Sequence, residues 1–157
     1  MLKKYLFIFF LSMVPVIELR GAIPFAVNWE LDYWTALTVC AIGNMLPVPF
    51  IYFFARKILH WGADKKYIGK FFRFCIEKGE RGGQKLIKRA GRGGLFVALM
   101  LFVGIPVPGT GAWTGTLAAS FLNMGIRSTA VSVSLGVVMA GIIMGVASTS
   151  VFSIFGI

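Results

Sequence analysis

Polar residues divide the chain into four apolar stretches separated by two short polar turns and one long basic segment. The third stretch is the longest. No charged side chain occurs from Gly93 to Ile126, a run of 34 residues. As one straight helix it would measure about 50 Å, against a bilayer core about 30 Å thick. The run is too long for one span and too short for two spans with a connection. Its breakers, Gly104-Ile105-Pro106-Val107-Pro108-Gly109-Thr110-Gly111, sit near the middle. The pattern predicts two half-helices that dip into a membrane and return, with irregular backbone at the tip. Such backbone is tolerated at that depth only where protein or a water-filled cavity satisfies its N–H and C=O groups. That requirement makes the break a candidate site before any side chain is considered.

The first stretch has the same character. The apolar run Tyr5 to Ile17 continues through Glu18, Leu19 and Arg20 to Val27, with Pro15 and Pro24 as interruptions. Lys3 and Lys4 before it resemble the head of a signal peptide, but no A-x-A-like cleavage site follows, so the segment is expected to be retained. Asn28 to Trp34 is a polar and aromatic turn suited to the headgroup level. Thr35 to Ala55 is uncharged and long enough to span, with Gly43, Asn44, Pro47 and Pro49 inside it. Asn44 offers a donor and an acceptor, either for an interhelical hydrogen bond or for a substrate. After the turn Asn123 to Ser128, the stretch Thr129 to Ser150 is again of spanning length. It carries a Gly141-x-x-x-Gly145 pair that suits close packing, within the protomer or between two copies.

Composition sharpens this picture. Of the 157 residues 57% are hydrophobic and 15% aromatic, and the mean hydropathy of +0.81 belongs to a polytopic membrane protein of one domain. The net charge is +10, with 16 basic and 6 acidic residues. Twelve of the basic residues fall between Arg56 and Arg92, which by the positive-inside rule faces the cytoplasm of a multi-pass cell-membrane protein. In it Tyr67, Ile68, Phe71, Phe72, Cys75 and Ile76 recur at helical spacing among Lys65, Lys66, Lys70, Arg73, Glu77 and Lys78. The pattern predicts a basic amphipathic helix on an anionic leaflet. Gly79 to Gly94, with six glycines, is expected to be a flexible connection and does not match a phosphate-binding loop. No nucleic-acid motif accompanies the charge. Cys40, Cys75 and His60 have neither disulfide nor metal spacing, and no cofactor is called for.

The chain also reads as two copies of one unit. Val14-Pro15-Val16 leads in six residues from Pro15 to Gly21-Ala22, and Ile105-Pro106-Val107 in five from Pro106 to Gly111-Ala112. A half-helix, a polar turn and a span with a central glycine, Gly43 or Gly136, follow each. The expected fold is therefore an all-α integral membrane protein of two repeats, 5–57 and 94–150. Each is a re-entrant or broken helical hairpin followed by a transmembrane helix, and the basic segment 58–93 joins them. If the broken segments are hairpins, the repeats are inverted and both termini lie outside. If they cross fully, both termini lie inside, and charge counting hardly separates the two. Broken helices paired with spans are the building plan of secondary transporters.

Three segments carry a family resemblance: Pro15-Val16-Ile17-Glu18-Leu19-Arg20-Gly21-Ala22-Ile23-Pro24, Gly43-Asn44-Met45-Leu46-Pro47-Val48-Pro49, and Pro106 to Thr116. Together they resemble the small multi-drug export protein family, which is similar to the DedA superfamily. The resemblance implies two facing re-entrant helices. Some DedA relatives translocate undecaprenyl phosphate in dependence on the proton gradient. Glu18 and Arg20 match the acid and base of the first hairpin in those proteins. The second hairpin departs from them, with Pro108 and Thr110 in place of ionisable residues.

Ionisable groups at membrane depth are functional candidates by default. Burial raises a carboxylate's pKa and a nearby cation lowers it, so Glu18 is a candidate for proton exchange. Arg20 suits bidentate contact with phosphate or carboxylate. Thr110, Gly111 and the N–H groups after them offer a half-helix N-terminus to an anion. The candidate substrate and proton site is thus Glu18, Arg20, Asn44, Pro106, Pro108, Thr110 and Gly111, with Trp113, Thr114 and Thr116 lining or packing the second hairpin. The reading that follows is a transporter of an anionic lipid phosphate or similar amphiphile, with protons as the coupled ion. The bilayer is its surroundings, and a second copy is a partner the glycine face would fit. Export of lipophilic drugs, or a membrane-organising role without transport, are the alternatives. No Ser-His-Asp set, metal cluster or carboxylate pair points to an enzyme.

Overall fold

The computed structural model describes residues 1–15, 17–65, 69–107 and 110–155. They form the helices α1 (Leu2–Met13), α2 (Glu18–Asn28), α3 (Tyr33–Met45), α4 (Val48–Ala63), α5 (Gly69–Gly104), α6 (Ala112–Phe121) and α7 (Ile126–Phe155), with no strand among the described residues. Helices satisfy their own backbone hydrogen bonds, as a hydrocarbon surround requires. Two stretches are long and apolar enough to cross a membrane. They are Tyr33–Ala63, 31 residues, and Ile126–Val151, 26 residues, whose apolar 18-residue windows have mean hydropathies of 1.7 and 2.2. Their outward faces are apolar: Phe50, Phe53 and Phe54 of α4, and Val131, Leu135 and Val146 of α7, are exposed. The inward face of α7 instead carries Thr129, Ser132, Val133, Val137 and Ala140. A helix with hydrocarbon outside and small or polar side chains inside is built for lipid rather than water.

Both breaks expected from the prolines are present. α1 ends at Met13 and α2 begins at Glu18, and α5 ends at Gly104 and α6 begins at Ala112. Pro24 does not break the chain and lies within α2. The ends of α1 and α2 remote from the first break lie together. Phe7 packs on Phe25 and Trp29, with ring centroids 6.0 and 5.3 Å apart, and the Lys4 ammonium sits over the Trp29 ring at 5.7 Å. At the second break, Arg92 and Leu95 from the start of the apolar part of α5 line one pocket with Asn123 and Arg127 from beyond the end of α6. Each broken segment therefore doubles back on itself.

The long helices pack closely on the broken segments. α1 packs on α3 and α5 on α7. In both cases a glycine permits the approach: a Cβ on Gly43 would lie 2.6 Å from the Phe9 carbonyl oxygen, and one on Gly136 2.7 Å from that of Met100. α2 then packs against α7, and α6 against α4. Gly141 and Gly145 are used within the protomer, beneath Leu37 and the Tyr33 ring, and the Tyr33 hydroxyl donates to the Gly141 carbonyl at 3.1 Å. At the opposite end of α7, Arg56 of α4 donates to Asn123 Oδ1. Lys4, Trp29 and Tyr33 thus mark one end of the bundle, and Arg56, Arg92 and Arg127 the other.

One expectation is refined and one corrected. The stretch Thr35 to Ala55 lies within the spanning-length run Tyr33–Ala63, with a kink at Leu46 and Pro47 between α3 and the first half of α4, both residues keeping helical φ and ψ. Pro47 has no N–H to bond back and its ring crowds the preceding turn. The glycine-rich connection Gly79 to Gly94 is helical, because strong helix formers such as Gln84, Lys85, Leu86 and Ala90 lie between its glycines. Its one departure is Gly91, at φ 69° and ψ 178°, a conformation essentially restricted to glycine. There the basic part of α5 meets the apolar part. The backbone from Gly69 is helical as expected for the amphipathic segment. Of the apolar stripe, Tyr67 and Ile68 and the side chains of Phe71, Phe72, Cys75 and Ile76 lie outside what the structure describes.

Candidate functional site

The break between α5 and α6 leaves backbone groups without helical partners, as any helix end does. Pro106 adds to the deficit because it has no N–H to offer its neighbours. On the α5 side the orphans are carbonyls, and the Arg20 guanidinium takes them. Its Nη2 donates to Val103 O at 2.8 Å and to Ile105 O at 3.1 Å, and its Nη1 donates to Val107 O. The Thr110 hydroxyl lies 2.9 Å from both the Ile105 and Val107 oxygens and shares its proton with them. The planar fork of an arginine suits this task, since several donors at fixed angles meet several acceptors at once.

On the α6 side the orphans are N–H groups, and the Glu18 carboxylate takes them. Ala112 N donates to Oε2 at 3.2 Å and Trp113 N to Oε1 at 3.1 Å. Glu18 is 5% exposed, so these charge-assisted bonds replace most of its hydration. Gly111 makes the approach possible: a Cβ there would run into the carboxylate, 2.6 Å from its carbon and 2.7 Å from Oε1. Glu18 itself has φ 51°, a left-handed conformation that costs an ordinary residue about 1–2 kcal/mol. The first break is bent at that cost so that its acid reaches the second.

The charges are therefore arranged against two helix ends. A carboxylate caps the N-terminus of α6 and a guanidinium the C-terminus of α5, the placement that helix dipoles favour. Glu18, Arg20, Thr110 and Gly111 meet at one place, with Pro106 in the cradle itself. The two N–H groups expected to face an anion face Glu18. Pro108 lies outside the described residues. Asn44, in the last turn of α3, is 2% exposed, and its Oδ1 has no hydrogen-bond partner among the described residues. The structure does not bond it into the cluster.

Sequence reasoning missed the carbonyls of Val103, Ile105 and Val107. No side-chain type advertises a backbone acceptor, although two prolines spaced by one residue are a signal for freed carbonyls. It also missed Trp113 Nε1, a buried donor without a partner among the described residues. Thr116 turns inward and bonds the Ala112 carbonyl, holding the first turn of α6 beneath Glu18.

No curated protein and no solved structure matches the chain. A family model described as "Putative small multi-drug export protein" matches residues 18–143. The matched region begins at Glu18 and takes in Arg20, the second break, α6 and more than half of α7, which is most of the chain. By that match, the chain belongs to the small multi-drug export protein family.

Proposed function

We propose that this protein is a secondary transporter, not an enzyme, and that it moves an anionic amphiphile such as a lipid phosphate across the cell membrane, with protons as the coupled ion. The observation that carries the reading is the capping of one broken segment by the acid and base of the other. In this reading the two segments are re-entrant hairpins of inverted repeats. The basic segment 56–92 is cytoplasmic, both termini lie on the other side, and the likeness to DedA proteins extends to mechanism. The matched packing of α1 on α3 and α5 on α7, and the doubling back of each hairpin, support it.

The proton step follows from the cap. Ionised Glu18 occupies the Ala112 and Trp113 N–H groups, which are the donors an anionic substrate would use. Protonation removes the negative charge and turns one of the two oxygens into a hydroxyl, so both bonds lose their charge assistance and an incoming phosphate competes successfully for the N–H pair. Substrate and proton then favour each other's binding by linkage. Arg20 holds the α5 end in place and supplies the charge that draws the anion in.

Proteoliposomes carrying a fluorescent phosphatidic acid test this. Glu18→Gln and Arg20→Ala are expected to abolish translocation while the protein still inserts, and full activity in both variants would sink the proposal. Topology is tested by labelling Lys3→Cys and Lys85→Cys in a background with both native cysteines replaced. Opposite sides are expected, and labelling from one side removes the hairpins. The family description favours a second reading, export of lipophilic drugs. Ethidium efflux that survives Glu18→Gln would select it.

A further inference from the structure

A second candidate site lies well apart from the capped break, at the end of the bundle marked by Arg56. A pocket of about 480 Å³ opens where the apolar part of α5 begins and α7 starts. Arg92, Arg127, Asn123 and Ser128 form its polar walls, and Leu95 and Met124 line it as well. Those last two are buried, at 4% and 5% exposure, so they form an apolar floor while the arginines, exposed to solvent, form the rim. The volume is in the range of small-molecule sites.

The far wall of this pocket is held rigidly. The Tyr52 hydroxyl donates to the Met124 carbonyl, and Arg56 donates both to that hydroxyl, at 3.3 Å, and to Asn123 Oδ1. Three arginines thus border one turn: Arg56 through its bond to Asn123, and Arg92 and Arg127 as lining residues of the pocket. Among the described residues no carboxylate lines the pocket or pairs with any of the three. Like charges held together at the edge of a low-dielectric bundle repel, and an anion relieves that repulsion. Two arginine forks over an apolar floor suit a tetrahedral, multiply charged oxyanion better than a single carboxylate.

We propose that this pocket binds a phosphate group through Arg92 and Arg127, presented either on a lipid headgroup or as free phosphate. The site stands whether or not the chain transports anything. It is distinct from the Glu18 and Arg20 cluster and does not draw on it.

The test uses the full chain in phosphatidylcholine nanodiscs, titrated with short-chain phosphatidic acid and separately with inorganic phosphate. Saturable binding of at least one probe is expected. Each of Arg92→Gln and Arg127→Gln should weaken it by about tenfold or more, as loss of a charge-assisted contact implies. Arg127→Lys should restore part of the loss, and Arg81→Gln, whose partner is Glu77 outside the pocket, should change nothing. The titration is repeated on Arg20→Ala, which removes the guanidinium at the capped break: binding that persists there and is lost on adding Arg92→Gln and Arg127→Gln belongs to this pocket, which separates failure of the site from failure of the transporter reading. If phosphatidic acid binds and inorganic phosphate neither binds nor competes, the lipid headgroup is the source. If phosphate binds alone or competes, the site reads the free anion as well. Failure of both probes to bind, or equal affinity in the Arg92→Gln/Arg127→Gln double variant, would overturn the proposal.

Discussion

Gly111→Ala puts the cap of α6 to a direct test, because the glycine's own backbone is extended, at φ 168°, and alanine adopts that conformation without strain. Any effect must come from the added methyl. Its carbon would lie 2.7 Å from Glu18 Oε1, where ordinary contact begins at 3.4 Å. Oε2 would lie closer still, so the carboxylate must retreat by at least the difference, about 0.7 Å, and a retreat of that size already takes bonds of 3.1 and 3.2 Å beyond hydrogen-bonding range. Bonds to a charged group contribute about 1.5–3 kcal/mol each, so the expected loss is about 3–6 kcal/mol. For a chain of this size that corresponds to a fall in Tm of about 6–24 °C, measured by tryptophan fluorescence in detergent micelles. Glu18→Ala alone removes the acceptor and strands two N–H groups, at about 1–3 kcal/mol each. Since the methyl then has nothing to displace, the double variant should be no less stable than Glu18→Ala alone. Additive losses, or a Gly111→Ala protein as stable as wild type, would refute the capping account.

Gly43→Ala and Gly136→Ala each press a methyl against a neighbouring backbone carbonyl and should cost about 1–3 kcal/mol in the same melt. Gly93→Ala, a helical position with open space around it, should gain about 0.5–1 kcal/mol. Arg20→Lys replaces a fork by one ammonium and leaves at least one of the Val103, Ile105 and Val107 carbonyls unpaired, a loss of about 1–3 kcal/mol visible as a lower Tm with insertion unchanged. Asp32 caps α3 outside the membrane-spanning segments. The Thr35 hydroxyl, at 2.6 Å, and the Thr35 N–H, at 2.8 Å, hold its carboxyl below the usual aspartate range. A lowered folded-state pKa stabilises above the unfolded value, near 3.9, and that contribution disappears as pH falls through the folded value. An acid titration followed by circular dichroism should therefore show helix loss at low pH that Asp32→Asn lacks.

Particular residues show what could be read in advance. Pro15, Pro106 and the glycines after them located both breaks, since a missing N–H is a property of the residue and needs no partner. Pro24 carries the same chemistry yet lies inside α2, where packing against α3 and α7 holds the helix together. Gly79 to Gly94 misled for the opposite reason: composition suggested a flexible link, but only Gly91 leaves helical geometry. Glu18 and Arg20 stood out as charges in an apolar run. That they serve another segment, more than 80 residues away, no local spacing discloses.

What the sequence by itself determined is the solvent and the punctuation: uncharged runs set against the thickness of a bilayer, and breakers that force those runs to turn. These are local properties, fixed by side-chain hydropathy and by backbone donors present or missing. Which orphaned group meets which charge was decided only by the tertiary structure. Hydrogen bonding between segments depends on how closely helices approach, and that approach is set by Gly43, Gly111 and Gly136 leaving room for a neighbour's atoms.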